Sequence, residues 1–473
     1  MKLSDLADVE NDSEVTGFAI DHRKVTRGNV FGAFKGAVFS GEDFIPAAVQ
    51  RGAIAVVARP EAEVSQAVHL ADAQPRRLFA QLASKFFAPY PEVVVAVTGT
   101  NGKTSTVEMT RQMWRMLGHR SASIGTLGVT TSDDQVKTGL TTPDIVTFLS
   151  NMAGLKRMGI SHVAYEASSH GLDQYRAEGV PLAAAAFTNF SRDHLDYHPD
   201  LDSYFEAKMR LFEEVLEPGA WAVIWSGDSK SAEVFERAER RGLKAVTVGP
   251  GGTQFDLVSQ TPTPLGQKIE FAYIGQIYTI TLPLIGAYQA ANVLTAAALV
   301  NVTGGKFLDV LGAMQRVSPV RGRLERAVIS RAGAPVYVDY AHTPDALEAA
   351  IAALRPHVEG RLITVFGAGG DRDQGKRAPM GEVATRLSDV VIVTSDNPRT
   401  EQPEAIIDEI VAGMKGERHV RISDRREAIR YALEVAGADD VILLAGKGHE
   451  TGQIVGDRVL PFDDALVARE CAA

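Results

Sequence analysis

"VVVAVTGTNGKTSTVEM", residues 93–109, decides how the rest of the chain is read. Val93 to Val97 form an unbroken apolar run, the pattern of a strand buried on both faces of a parallel sheet. Gly99 and Gly102 permit a tight turn and a close backbone approach. A helix is expected next, with Val107, Trp114 and Leu117 on one face and Gly118 as its stop. Backbone N–H groups at such a helix start cradle phosphate oxygens. Lys103 adds positive charge, and the Thr104 hydroxyl is of the kind that holds magnesium. The common phosphate loop places four residues between its first Gly and the Gly-Lys-Thr, whereas only two separate Gly99 from Gly102. The stretch reads as a nucleotide-phosphate site with a shortened loop; the alternative is a chance Gly-rich turn.

Working outward, short apolar runs alternate with helical periods, which predicts an α/β protein. Residues 52–60, 93–97, 162–166, 361–366, 389–395 and 440–446 read as buried parallel strands. Two Pro-bearing stretches, "FFAPYPEV" (86–93) and "RVSPVRGRLE" (316–325), suggest boundaries. The expected architecture has three domains. A small N-terminal α/β domain spans 1–88, a central P-loop ATPase-like domain with a mostly parallel sheet spans 89–319, and a C-terminal Rossmann-like domain spans 320–473. Chemically loaded turns follow the strands: TGTNGKT, ASSHG, SRDH, YAHTPD, GAGGDRDQGK, DNPR and KGHE. Ligands in open α/β sheets bind outside the carboxyl ends of the strands, so these turns are expected to share one cleft between the second and third domains.

The 473 residues are 45% hydrophobic and 23% charged, an ordinary globular balance. The net charge of −10 argues against a non-specific nucleic-acid binder. The single cysteine, Cys471, can form no internal disulfide and fits a reducing compartment. The acidic N-terminus lacks the apolar centre of a secretory signal, and no run approaches the ~18–20 apolar residues of a membrane span. These features lead us to expect a cytoplasmic protein with no membrane or nucleic-acid partner.

Individual residues leave alternatives open. Glu166, at a strand end, is either a metal ligand or an exposed carboxylate. In "SRDHLDYH" (191–198), His194 and His198 stand four apart, as on one helix face that binds zinc or simply begins a polar helix. In "DSYFEAKMRLFEEVL" (202–216), Phe205, Met209, Phe212 and Leu216 form one apolar stripe. Lys208 lies in the adjoining stripe of Tyr204, Leu211 and Val215. The pattern favours an ammonium that snorkels to water over a cleft amine with a lowered pKa. Arg399 suits a bidentate grip on a carboxylate, and Asp396 with Glu450 suits an ammonium, which together describe an amino acid. Loop solubility is the bland alternative for each. No Ser-His-Asp or Cys-His constellation suggests a covalent nucleophile.

Taken together, TGTNGKT, TTPD, EASSHGLDQYR, FTNFSRDHLDYH, EAKMRLF, GAYQAAN, GRLE, VDYAHTPDAL, GAGGDRDQGKR, DNPR and AGKGHE resemble the Mur ligase family of peptidoglycan synthesis across essentially the whole chain. The likeness is to members that add the third stem-peptide residue. It implies an ATP-dependent amide ligase acting through an acyl phosphate, with ATP, Mg²⁺, UDP-N-acetylmuramoyl-L-alanyl-D-glutamate and meso-2,6-diaminopimelate as ligands, working as a monomer. Gly99, Thr100, Asn101, Gly102, Lys103, Thr104 and Ser105 would bind ATP, with Asn292, Arg323 and Asp339. Thr104 and Glu166 would hold magnesium, and His194 would sit near a second metal and the phosphoryl group. Lys208 would be carbamylated and carry metal, which overturns the snorkelling reading. Ile20, His22, Thr141, Thr142, Ser168, Gln174 and Arg176 would take the nucleotide-sugar peptide. Arg372, Asp396, Asn397, Pro398, Arg399, Gly446 and Glu450 would take the amino acid. The family often has Asp-Ser-Arg where this chain has Asp21-His22-Arg23, and the "GAVFSGEDF" loop departs from the common His-containing form. A lysine-adding or folylpolyglutamate synthase-like ligase is the near rival. A nucleotide-switched binding protein such as a GTPase is the distant one, and the chain lacks an Asn-Lys-x-Asp guanine-reading motif.

Overall fold

The computed structural model describes residues 1–36, 39–132, 134–136, 139–263, 266–416 and 419–472. Ala37 and Val38 of the "GAVFSGEDF" loop lie outside them. Three sheets follow one another along the chain, and a two-stranded hairpin, Gly452–Val455 with Arg458–Pro461, lies beside the third. The first sheet is parallel and has four strands, Gly17–Ala19, Asn29–Gly32, Ala55–Ala58 and Val68–Ala71, in chain order.

The second sheet has eleven strands and is built around Val93–Thr98. That strand lies between His162–Glu166 and Ala184–Phe187, both parallel to it. The apolar run predicts this position, because only a strand covered on both faces is uniformly apolar. Antiparallel strands finish both edges. Over one face runs the helix Lys103–Met116, with Trp114 buried and Gly118 at φ +91° ending it as expected. It packs on Ala287–Val302, a helix buried from Gln289 to Val300 except at Ala291. The third sheet has six strands, parallel except for Glu325–Ile329 at its edge.

The joints between the three sheets differ. One continuous apolar core runs from Leu3 and Phe18 of the first sheet's layer, through Phe79 and Leu82, to Phe148 and Tyr165 of the second. The third sheet has cores of its own, touched from the second unit by Ile285 and Tyr288 at their margin. The first joint is therefore packed, and the second is mainly a cleft.

Two expectations are corrected. Residues 191–200 form turns, and the following helix, Leu201–Arg210, begins only after them, capped by Asp200. Pro199 disfavours helical backbone at His198, and His194 sits at φ +56°. The pair therefore shares no helix face. Lys208 does not snorkel: its side chain is 1% exposed, and its ammonium points inward.

Candidate active site

The short loop is stable because a second loop supports it. Thr188 Oγ1 donates to the Asn101 carbonyl (2.6 Å), and Asn189 Oδ1 accepts from Asn101 N (2.8 Å). The Asn189 carbonyl accepts from Thr100 N (2.9 Å), and Thr100 Oγ1 donates to the Ser191 carbonyl (3.2 Å). A Cβ at Gly99 would fall 2.0 Å from Thr188 Oγ1, and one at Gly102 would fall 2.5 Å from Asn292 Oδ1. The glycines are thus required by contact as well as by φ values of +142° and +84°. Residues 188–191, placed by the neighbouring strand, brace the shortened loop. Sequence reading found FTNFSRDH but missed this bracing.

Lys103 Nζ donates to the carbonyls of Gly99 (2.9 Å) and Thr100 (2.7 Å), within its own loop. Burial, with Arg323 nearby, lowers its pKa against the pull of Glu166 and Asp193. Thr104 Oγ1 donates to Glu166 Oε2 (3.0 Å) and accepts from Arg323 Nη2 (2.9 Å). Glu166 is buried and is also held by Thr126, from N to Oε1 (2.7 Å) and from Oγ1 to Oε2 (3.1 Å). It is therefore no exposed strand-end carboxylate. Thr126 follows a strand the sequence reading passed over.

Among the described residues Lys208 Nζ makes one hydrogen bond, to the Gly99 carbonyl (2.8 Å), and lies 4.2 Å from the centre of the Tyr204 ring. Burial first, and Lys103 second, push its pKa well below the ordinary range. Around it, the rings of His170 and His194 are 4.8 Å apart, and the His198 ring lies tilted at 5.2 Å from that of Tyr204. Burial lowers the pKa of His170 to about 4, so it is neutral at pH 7. Burial also lowers His194, although Asp193 beside it pulls the other way.

A cavity of about 510 Å³ opens between the second and third sheets. Gly102, Ser105 and Asn292 line one side, Arg323 and Asp339 another, and Trp225 with Leu257 forms an apolar end. Asp339 accepts from Leu324 N (2.7 Å) and Tyr288 Oη (3.4 Å). Burial pushes its carboxyl up to about 6 despite Arg323. Tyr340, which the sequence reading quoted without a role, lines this cavity and a second one of about 340 Å³. The Arg323 guanidinium lies 4.6 Å from its ring centre. Thr141, Asn397, Glu450 and Ile454 line the second cavity. The ion pairs Arg192–Asp373 (3.5 Å) and Arg372–Asp196 (3.9 Å) tie the two sides together.

Of the turns after the third sheet's strands, those carrying Tyr340, Asn397 and Glu450 reach the second cavity. Arg399, at φ +53°, donates from Nη1 to the Gly370 carbonyl (2.7 Å), and Arg372 lies near enough, with burial, to lower its pKa. Behind them the Arg425–Asp464 pair (2.7 Å, both 0% exposed) anchors the carbonyls of Ser395 and Ala445, one residue before Asp396 and Gly446. Asp396, Asn397 and Glu450 surround Lys447, a buried lysine to which sequence reading gave no role.

Toward the first unit, Thr142 Oγ1 donates to the Glu166 carbonyl (2.7 Å) and pairs with Ser168 Oγ (2.9 Å). Arg176 donates to the Thr142 carbonyl (3.2 Å) and to Gln174 Oε1 (2.6 Å). These positions form one group. Ile20 is partly exposed, and His22 stacks flat on Phe44 at 4.4 Å within the first unit, so neither joins it. Arg76 of the first unit does feel the Arg176 charge.

Three family models match the chain in order: "Mur ligase family, catalytic domain" at 14–87, "Mur ligase middle domain" at 97–300 and "Mur ligase, glutamate ligase domain" at 322–448. The UDP-N-acetylmuramoyl-L-alanyl-D-glutamate--2,6-diaminopimelate ligase of Zymomonas mobilis subsp. mobilis is 53% identical over 98% of this chain and 96% of its own. The protein of the same name from Bradyrhizobium diazoefficiens is 47% identical over 98% and 97%. A solved structure of a ligase with that name superposes with a TM-score of 0.73 at 31% identity, covering 100% of this chain and 98% of the other. By its motifs, its three successive sheets and these matches, the chain belongs to the Mur ligase family.

Proposed function

We propose that this protein is the ATP-dependent ligase that joins meso-2,6-diaminopimelate to UDP-N-acetylmuramoyl-L-alanyl-D-glutamate. The observation that carries this is Tyr340, one side chain that walls both a cavity beside the phosphate loop and a cavity beside Asn397 and Glu450. A nucleotide in the first and an amino acid in the second would be near neighbours.

The 14–87 region would hold the nucleotide sugar, and the Thr142, Ser168 and Arg176 group would hold the peptide. The terminal glutamate carboxylate attacks the γ-phosphorus of ATP, and ADP leaves. The amine nitrogen then attacks the acyl carbon, the acyl C–O bond breaks, phosphate departs, and the nitrogen loses a proton. Lys103 would exchange its two loop carbonyls for phosphate oxygens, and loop N–H groups would hold the rest. Asn292, Arg323 and Asp339 would bound the nucleotide. The residues present also fit magnesium. Thr104 and Glu166 place two hard oxygens together (3.0 Å), a small donor set that the ion takes alongside phosphate and water. Magnesium would neutralise charge on the transferring phosphoryl group. Lys208 fits carbamylation: its buried amine is disfavoured as a cation, and reaction with CO₂ with loss of one proton would turn it into a carboxylate facing His194. Arg399 and Arg372 would grip the distal carboxylate of diaminopimelate. Closure of the third unit would keep water from the acyl phosphate.

The test is ADP release with UDP-MurNAc-dipeptide and a panel of amino acids. Turnover with diaminopimelate and little with lysine supports the reading. Turnover with lysine alone, or nucleotide hydrolysis indifferent to both substrates, overturns it.

A further inference from the structure

Lys447 lies at the centre of the candidate amino-acid site, yet no part of the mechanism above uses it. Its side chain is 0% exposed. Nζ donates to Glu450 Oε2 (3.1 Å), Asn397 Oδ1 (3.1 Å) and, more weakly, Asp396 Oδ1 (3.4 Å). Asn397 is locked by the same arrangement, since its amide nitrogen donates to Glu450 Oε2 (2.8 Å) while its oxygen also accepts from Ile454 N (2.9 Å). Both of these bonds to Glu450 fall on Oε2, which leaves Oε1 for a ligand. Glu450 is 32% exposed and lines the cavity, whereas Lys447 cannot reach it.

Charge counting gives Lys447 its role. Asp396 and Glu450 together carry two negative charges, and Lys447 cancels one. One net negative charge then remains near Arg399, while Arg372 already faces Asp196 (3.9 Å) across the cleft. That balance matches an amino-acid end bearing one ammonium and one carboxylate. It does not match an end bearing an ammonium alone, which would bring Arg399 no carboxylate. Its three partners fix the position of Nζ, so the ion-paired cluster is a fixed part of the site.

We propose that Lys447 is a specificity-determining residue: by neutralising one of the two carboxylates at Asp396 and Glu450, it sets the site to prefer a zwitterionic distal end, as in diaminopimelate, over a purely cationic one, as in lysine. This rests on the ligase reading above, and a wild-type enzyme that turns over diaminopimelate establishes that reading separately. In Lys447→Gln the buried Asp396 and the cavity-lining Glu450 lose their shared cation. The ratio of kcat/KM for meso-diaminopimelate to kcat/KM for L-lysine should fall at least tenfold, and lysine's own kcat/KM should rise relative to other losses. Lys447→Arg, which keeps the charge, should stay within about threefold of the wild-type ratio. A residue that merely held the turn together would lower both substrates alike, and an unchanged ratio in Lys447→Gln overturns the proposal. If that variant does not fold, Glu450→Gln applies the same rule in reverse. With one carboxylate removed and Lys447 retained, lysine use should drop several-fold more than diaminopimelate use, and an equal drop overturns the proposal.

Discussion

Lys208 and Lys447 are both fully enclosed amines, but they are kept in different company. Lys447 has two carboxylates and an amide oxygen around it. Lys208 has a carbonyl, an aromatic face and, a short way off, a second lysine. Burial disfavours a charged amine, and the partners around it decide how strongly. Lys447 sits in an ion-paired cluster, whereas burial with Lys103 nearby pushes the Lys208 pKa well down. Hydrophobic patterning does not reveal this difference, because Lys208 lies in an apolar helical stripe and Lys447 in a Gly-rich turn, and neither pattern names the partners.

The largest expected effect is on turnover. Lys208→Met should reduce kcat by ~10²–10³ or more, the scale of removing one preorganised electrostatic group, with the melting temperature unchanged or raised. An active Lys208→Met enzyme in a steady-state ADP-release assay would end the contrast between the two lysines. Lys447→Met should act in the opposite sense on stability, costing ~3–5 kcal/mol in urea unfolding because it leaves two carboxylates without their cation. Stability changes of the same sign in both methionine variants would show that the partners do not matter. Arg399→Ala removes a charged grip on the proposed distal carboxylate, worth ~2 kcal/mol. KM for diaminopimelate should rise roughly thirtyfold, with KM for ATP hardly moved. Parallel rises in both constants would show that Arg399 is no amino-acid clamp.

The last effect sharpens the comparison with a buried acid. Asp339 has one nearby cation and two backbone donors, a company intermediate between those of the two lysines. Its folded pKa is raised from 3.8 to about 6, so the folded chain holds that proton more firmly than the unfolded chain. The stability this contributes is full below pH 3.8 and is lost as pH rises through about 6. Asp339→Asn lacks that loss, so relative to wild type it should gain about 2 kcal/mol between pH 4 and pH 7, read by unfolding at both pH values. A difference that does not change with pH would mean Asp339 is already ionised at low pH in the folded state.

The sequence was most informative where backbone chemistry is local. The run Val93–Val97, the glycines at 99 and 102 and the stop at Gly118 each have one physical reading, and the strand, turn and helix lie where those readings put them. The turns after later strands were likewise legible, because strand ends in such sheets gather on one side. What was hidden depends on contact between distant segments. Nothing near Thr126 or Thr188 in sequence signals that one braces Glu166 and the other the phosphate loop. The histidines at 194 and 198 suggested a helix by spacing alone, and Pro199 was the available warning. Lys447 was quoted inside AGKGHE, but its partners at Asp396 and Asn397 lie some fifty positions earlier in the chain.

Tyr340 carries a practical lesson for anyone who alters this enzyme. A ring that serves as a party wall cannot be trimmed on one side only. Shrinking it alters the lining of both cavities at once, so with nucleotide and amino acid placed there as proposed, a defect would register in the constants of both.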